Sequence, residues 1–135
     1  LYGGPAIVVD FGTSTNFDVV SAKGEFLGGA LAPGVEISVD ALAARAARLF
    51  KVELTEPEFV IGKSTVEALQ SGLVYGFAAQ VDGMVERISR ELGADPIVIA
   101  TGGLSHLMYD ICESFDHHEP DLTLIGLRLV AEKNA

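Results

Sequence analysis

Ala6-Ile7-Val8-Val9-Asp10-Phe11-Gly12-Thr13-Ser14-Thr15 is the stretch whose reading decides the fold. Its first four residues form a continuous apolar run rich in β-branched side chains, the pattern of a strand buried on both faces, and Asp10 closes it. The glycine and hydroxyl-rich turn that follows reverses the chain into a second strand, Asn16 to Val20. Ala22-Lys23-Gly24 is a short polar connection into a third strand, Glu25 to Ala32, which Pro33-Gly34 terminates. Three strands joined by tight turns predict an antiparallel meander.

Downstream, Ile37, Leu42 and Leu49 with interspersed alanines predict a helix from about Glu36 to Leu49, with Arg45 and Arg48 on one face. The polar stretch Lys51 to Phe59 reads as a loop leading to the turn Gly62-Lys63-Ser64. Ser64 and Glu67 have capping-box spacing, in which hydroxyl and carboxylate each satisfy an otherwise unpaired backbone N–H. From there Ala68, Leu69, Leu73, Phe77, Val81, Met84, Val85 and Ile88 recur at helical spacing as far as Leu92. Gly72, Gly76 and Gly83 interrupt this pattern and predict either a kink or two short helices. Ile97 to Ala100 is a further apolar strand running into Thr101-Gly102-Gly103, with a short helix from Leu104 and an edge strand expected over Ile111 to Phe115. Pro120-Asp121 opens a final helix, Leu122 to Lys133. The class is α/β: a three-strand meander plus further strands with flanking helices.

At 135 residues, 49% of them apolar, the chain fits one domain with a hydrophobic core, and residues 1–135 are read as that domain. A net charge of −10 argues against nucleic acid, whose binding rests on clustered Lys and Arg. A single cysteine, Cys112, leaves no internal disulfide and no zinc pattern, which fits a reducing cytoplasm. No apolar run reaches the length of about 18 residues expected of a membrane span. The absence of an initial methionine, with a strand starting almost at once, leads us to expect a fragment from which something upstream has been removed.

Two turns carry the strongest chemical signal. Asp10-Phe11-Gly12-Thr13 places a carboxylate at a strand end before backbone N–H groups and a hydroxyl, a set suited to a cation and phosphate oxygens. An Asx or Ser/Thr turn that only caps a hairpin explains the same residues. Thr101-Gly102-Gly103-Leu104 lies between strand and helix, where open α/β sheets place ligands, yet taken alone a tight turn with no ligand is the favoured reading. Gly28-Gly29-Ala30 with Pro33-Gly34 permits close approach by a ligand or by a neighbouring element. Gly62-Lys63-Ser64-Thr65 resembles the tail of a phosphate-binding loop, but Pro57 stands where that motif needs its first glycine. Asp116-His117-His118-Glu119 reads as a solvated loop, since adjacent imidazoles point apart and no third partner stands at ligand spacing. Asp82 reads as an exposed helical carboxylate or an interface hydrogen bonder.

Taken in order, Asp10-Phe11-Gly12-Thr13, Gly28-Gly29-Ala30 with Pro33-Gly34, Gly62-Lys63-Ser64-Thr65 with Gln70-Ser71-Gly72, Val81-Asp82-Gly83, Thr101-Gly102-Gly103 and Leu122-Thr123-Leu124-Ile125-Gly126-Leu127 resemble the carboxy-terminal domain of type III pantothenate kinases. The resemblance implies an actin-like, ribonuclease H-like half from the superfamily of acetate and sugar kinases. It implies transfer of the γ-phosphoryl of ATP to pantothenate, giving 4'-phosphopantothenate for coenzyme A, with Mg2+ accompanying ATP and K+ as a further cation. By matched position Asp10 is the metal (K+) ligand, Gly12, Thr13, Gly102 and Gly103 contact ATP, and Thr65 contacts pantothenate. The resemblance also implies a homodimer and an amino-terminal lobe, absent here, that carries the catalytic base; no residue of this chain is assigned that role. Asn16 and Leu49-Phe50 depart from the family pattern without removing a site residue. The chain alone is expected to be inactive, and the alternative is a noncatalytic single-lobe dimerisation module with vestigial nucleotide affinity.

Overall fold

The computed structural model describes residues 2–45 and 52–134. A five-stranded mixed sheet in the order β3-β2-β1-β4-β5 forms its centre. The meander is present: β1 (Ala6–Phe11) pairs antiparallel with β2 (Ser14–Val20), which pairs antiparallel with β3 (Phe26–Pro33). On its other side β1 runs parallel to β4 (Ile97–Thr101), and β4 to the short β5 (His117–His118).

One face of the sheet is covered. Ile7, Val9, Phe11, Phe17, Val98 and Ala100 point into a core closed by Ala78, Val81 and Val85 of α2 (Thr65–Leu92) and by Met108 of α3 (Ser105–Ile111). The other face of β1, with Val8 and Asp10, stays half-buried. The expectation of a strand buried on both faces is met only in part: Ile7, Val9 and Phe11 are buried beneath the helices, whereas on the opposite face Ala6 is buried but Val8 and Asp10 are not. A smaller cluster joins Val39 of α1 (Val35–Arg45) to Val52 and Leu73. The predicted end of that helix, including Arg48 and Leu49, lies outside the described residues.

The long helix excludes one of the two expectations for it, that of two short helices. α2 is a single element of 28 residues, neither two helices nor a broken one. A Cβ added at Gly72, Gly76 or Gly83 would meet nothing within 4 Å, so these glycines serve no close packing among the described residues. Continuity comes from both ends and from the buried stripe. Ser64 Oγ accepts from Glu67 N–H at 3.2 Å, while the Glu67 carboxylate accepts from Lys63 N–H at 2.8 Å, one residue earlier than a standard box. Gly93 closes the helix through bonds from its N–H to the Ser89 and Arg90 carbonyls. The preceding loop is tied to α2 by Gln70, which donates to Glu53 O, by Ser71, which donates to Val60 O, and by Tyr75, which donates to Glu56 and Pro57. The bond to Glu56 raises the Tyr75 phenol above its ordinary range.

The chain after α3 also departs from the sequence reading. Ile111 ends α3, and the edge strand falls at His117–His118, six residues later than the expected start. Asp116 N–H donates to Val98 O and Glu119 N–H to Ala100 O, so β4 extends its pairing across residues expected to form a solvated loop. Both histidines are half-buried, His117 stacked on Tyr2 at 3.8 Å and His118 on Tyr109 at 5.1 Å between ring centroids. Asp82 is likewise no exposed helical carboxylate: it accepts from the N–H groups of Glu113 and Ser114 and from the Ser114 hydroxyl. α4 (Leu122–Lys133) follows as expected but contains no buried residue.

Candidate functional site

β1 and β4 are parallel neighbours in a register that sets Asp10 beside Thr101, so their two turns leave the sheet at one level. On one side of this pair the sheet continues through β2 and then β3, each antiparallel to its neighbour, and on the other through β5, parallel to β4, so the strand order runs outward in opposite directions from between β1 and β4. Ligands of open α/β sheets sit at the carboxyl ends of strands at such a place.

The two turns touch. Gly102 has φ +97°, and a Cβ built there would lie 2.5 Å from Asp10 Oδ1 and 2.6 Å from Phe11 N. Leu104 N–H reaches back to Phe11 O at 3.4 Å. From the other side Gly34 closes on the hairpin, its absent Cβ falling 2.2 Å from Thr13 O. Glycine at 102 and 34 is therefore required by approach of backbone to backbone, and at 102 also by a dihedral that other residues rarely adopt. Gly29, by contrast, presses on Phe17 O within β2, so the Gly28-Gly29-Ala30 motif packs the sheet.

Asp10 is half-buried, and its carboxylate makes no hydrogen bond or ion pair with another described residue. Gly12 and Thr13 are exposed at the same turn, where Gly12 N–H donates to Ser14 O at 3.1 Å. Asp10, Gly12, Thr13 and Gly102 are thus brought together, and Gly103 continues the turn as an exposed residue. Thr65 is placed elsewhere. It is the exposed first residue of α2, and no hydrogen bond among the described residues links it to the Asp10 turn. The hollow beside that helix start is lined by Pro57, Glu58, Phe59, Lys63, Glu67 and Gln70, without Thr65. A second hollow, between α1 and Val52–Leu54, reaches the glycine turn at Leu104.

No group of three or more His, Cys, Asp and Glu side chains gathers for a metal among the described residues. One carboxylate in a cradle of glycine backbone is still a hard oxygen donor suited to a cation that takes its other ligands from phosphate oxygens and water. Sequence reasoning missed Ser105 and His118. Ser105 is fully buried, donates to Gly102 O at 2.6 Å and lies 2.8 Å from His118 Nε2. A serine at the first turn after a glycine pair was the available signal.

A sequence model described as type III pantothenate kinase matches residues 1–87. The chain belongs to the type III pantothenate kinase family. The part of a type III pantothenate kinase that this match covers contains Asp10, Gly12, Thr13 and Thr65 and stops before Gly102 and Gly103. Curated relatives extend the likeness to nearly the whole chain. The type III pantothenate kinase of Frankia alni is 72% identical over 134 residues, 99% of this chain and 54% of that protein. That of Acidothermus cellulolyticus is 68% identical over 134 residues, 99% of this chain and 52% of that protein. The chain spans about half the length of the pantothenate kinases it matches. Among solved structures, a Baf family protein from Campylobacter jejuni superposes with a TM-score of 0.70 over 96% of this chain and 58% of that one. At 20% identity it supports the α/β fold alone.

Proposed function

We propose that this chain is one domain, an actin-like, ribonuclease H-like half of a pantothenate kinase that phosphorylates pantothenate with ATP in coenzyme A synthesis. The observation that carries the reading is the contact of the two glycine turns around Asp10, a carboxylate with no bonding partner among the described residues, at the ends of parallel neighbours β1 and β4. The Gly103 backbone N–H and the exposed Thr13 hydroxyl are the donors for nucleotide phosphates, and Gly12, whose own N–H is bonded to Ser14 O, lets the phosphates approach the turn closely. Asp10 holds the monovalent cation, K+, which neutralises phosphate charge when bound; Mg2+ arrives with ATP. Thr65, at the start of α2, contacts pantothenate from a separate element.

Phosphoryl transfer depends on positioning and on charge stabilisation from both sides of the nucleotide. No catalytic base is assigned here, so the base belongs to the remainder of the protein, the amino-terminal lobe, and this half alone is inactive. The working site is cytoplasmic, with no nucleic-acid or membrane partner. Among the described residues no helix is long and apolar enough to cross a membrane.

A second reading is a single-lobe module whose behaviour is homodimerisation with vestigial nucleotide affinity. It is favoured by exposed apolar side chains on edge strand β3, Phe26, Leu27 and Leu31. Calorimetric titration of ATP and of pantothenate, with and without potassium, separates the two. Potassium-dependent ATP binding lost in Asp10→Ala, with pantothenate binding lost in Thr65→Ala, supports the kinase half-site. Absence of binding at millimolar ligand, with a dimer in sedimentation, leaves the assembly module.

A further inference from the structure

The Thr101–Leu104 turn is braced from behind by a pair of side chains outside the ligand-facing surface. Ser105 is fully buried, and its Oγ lies 2.6 Å from Gly102 O. Two oxygens that close require a proton between them, so the hydroxyl donates to the carbonyl. Gly102 O also receives the Ser105 N–H at 3.1 Å. With its one proton committed, Ser105 Oγ offers His118 only lone pairs, so Nε2 carries the proton and donates across 2.8 Å. His118 in turn is fixed by three constraints. Its backbone stands opposite Ala100 in the β4–β5 pairing, its ring stacks on Tyr109 at 5.1 Å, and His106 meets its edge at 4.9 Å.

The chain of contacts ends at the proposed cation ligand. Gly102 has no side chain to adjust, its position is set by the two bonds to its carbonyl, and it packs on Asp10 Oδ1 and on the Phe11 backbone. A turn released from Ser105 is free to shift relative to Asp10. Thr65 belongs to α2 and shares none of these bonds.

We propose that Ser105 and His118 are positioning residues that hold the Gly102–Gly103 backbone against Asp10, and that they set affinity for the nucleotide phosphates and their cation without affecting affinity for the alcohol substrate. This rests on the reading of the two turns as the nucleotide side of a kinase site. A polar bridge at the edge of the sheet thereby controls a property of a turn it does not line.

The test uses this chain joined to the portion of the Frankia alni protein outside their match, so that a whole kinase is assayed. Ser105→Ala removes the hydroxyl, His118→Phe keeps the stacked ring without the donor, and His118→Gln restores an N–H near the Nε2 position. The expected result is an ATP KM raised about threefold to tenfold in the first two variants, the effect of one lost hydrogen bond. The potassium concentration for half-activation rises in parallel, the pantothenate KM holds, and His118→Gln recovers most of the loss. An unchanged ATP KM in both Ser105→Ala and His118→Phe overturns the proposal. So does a joint change of both KM values and kcat with a lowered unfolding midpoint, the mark of a purely structural role. Failure of the unaltered fusion to use ATP refutes the kinase reading instead. Amide exchange at Leu104 and Ser105 then still decides the brace, which predicts faster exchange in His118→Phe and is refuted by equal exchange.

Discussion

Replacing Gly102 by alanine tests the central geometry directly. The new Cβ would stand 2.5 Å from Asp10 Oδ1, 2.6 Å from Phe11 N and 2.7 Å from Phe11 O, and the last two are backbone atoms of a central strand that cannot swing aside. The φ of +97° adds strain of about 1–2 kcal/mol for a residue with a side chain. Overpacking against fixed neighbours adds about 1–3 kcal/mol, giving a total of about 2–5 kcal/mol. That is a large share of the roughly 5–15 kcal/mol that stabilises a typical domain. Gly76→Ala is the matched control, because a Cβ there meets nothing within 4 Å and the residue is mid-helix. It should gain about 0.5–1 kcal/mol. Urea unfolding followed by circular dichroism reads both. With a slope of about 2 kcal/mol per molar, Gly102→Ala lowers the midpoint by about 1–2.5 M, and Gly76→Ala raises it. Equal midpoints for the two variants would refute the argument that the turns are in backbone contact.

Asp82→Ala strands the N–H groups of Glu113 and Ser114 and should cost about 1.5–3 kcal/mol by thermal unfolding, with Asp82→Asn intermediate because one acceptor oxygen survives. Burial first, and the nearby Asp82 charge second, push the Cys112 thiol up to about 12, so the folded chain keeps a proton that the unfolded chain releases from the ordinary value of 9.0. That stabilisation is complete below pH 9 and lost as pH rises from there towards 12; Cys112→Ala should flatten the alkaline decline, and a thiol reagent at pH 8 should react only after denaturant is added. Removal of Leu122–Lys133, a helix with no buried residue, should change the unfolding free energy by less than about 1 kcal/mol, and a larger loss in urea titration would contradict the packing described.

The meander, β4 and the end helix were legible because each rests on local signals: alternating or continuous apolar runs bounded by glycine, proline or a cap. What failed needed tertiary information. Gly72, Gly76 and Gly83 look like helix breakers in isolation, but α2 is held by the buried stripe Leu73, Val74, Ala78, Val81 and Val85. His117–His118 has no strand-like composition; it becomes β5 because β4 exposes an unpaired edge and Tyr2 and Tyr109 supply ring surfaces. Of the site, the two turns were readable one by one, while their contact through Gly102 depends on a parallel pairing no local pattern encodes. Ser105 and His118 stayed hidden for that reason.

The pairing of Ala6 with Ile97 closes the longest loop in the sheet, whereas the hairpins that build β1 to β3 join neighbours in the chain. Local pairings cost little loop entropy and form readily; the β1–β4 ladder must wait until more than half the chain has been gathered. Asp10 and Gly102 lie on opposite sides of that last seam. A ligand gripping both turns would bind only molecules in which the seam is closed, and so would act as a clasp that draws the folding equilibrium towards its final step.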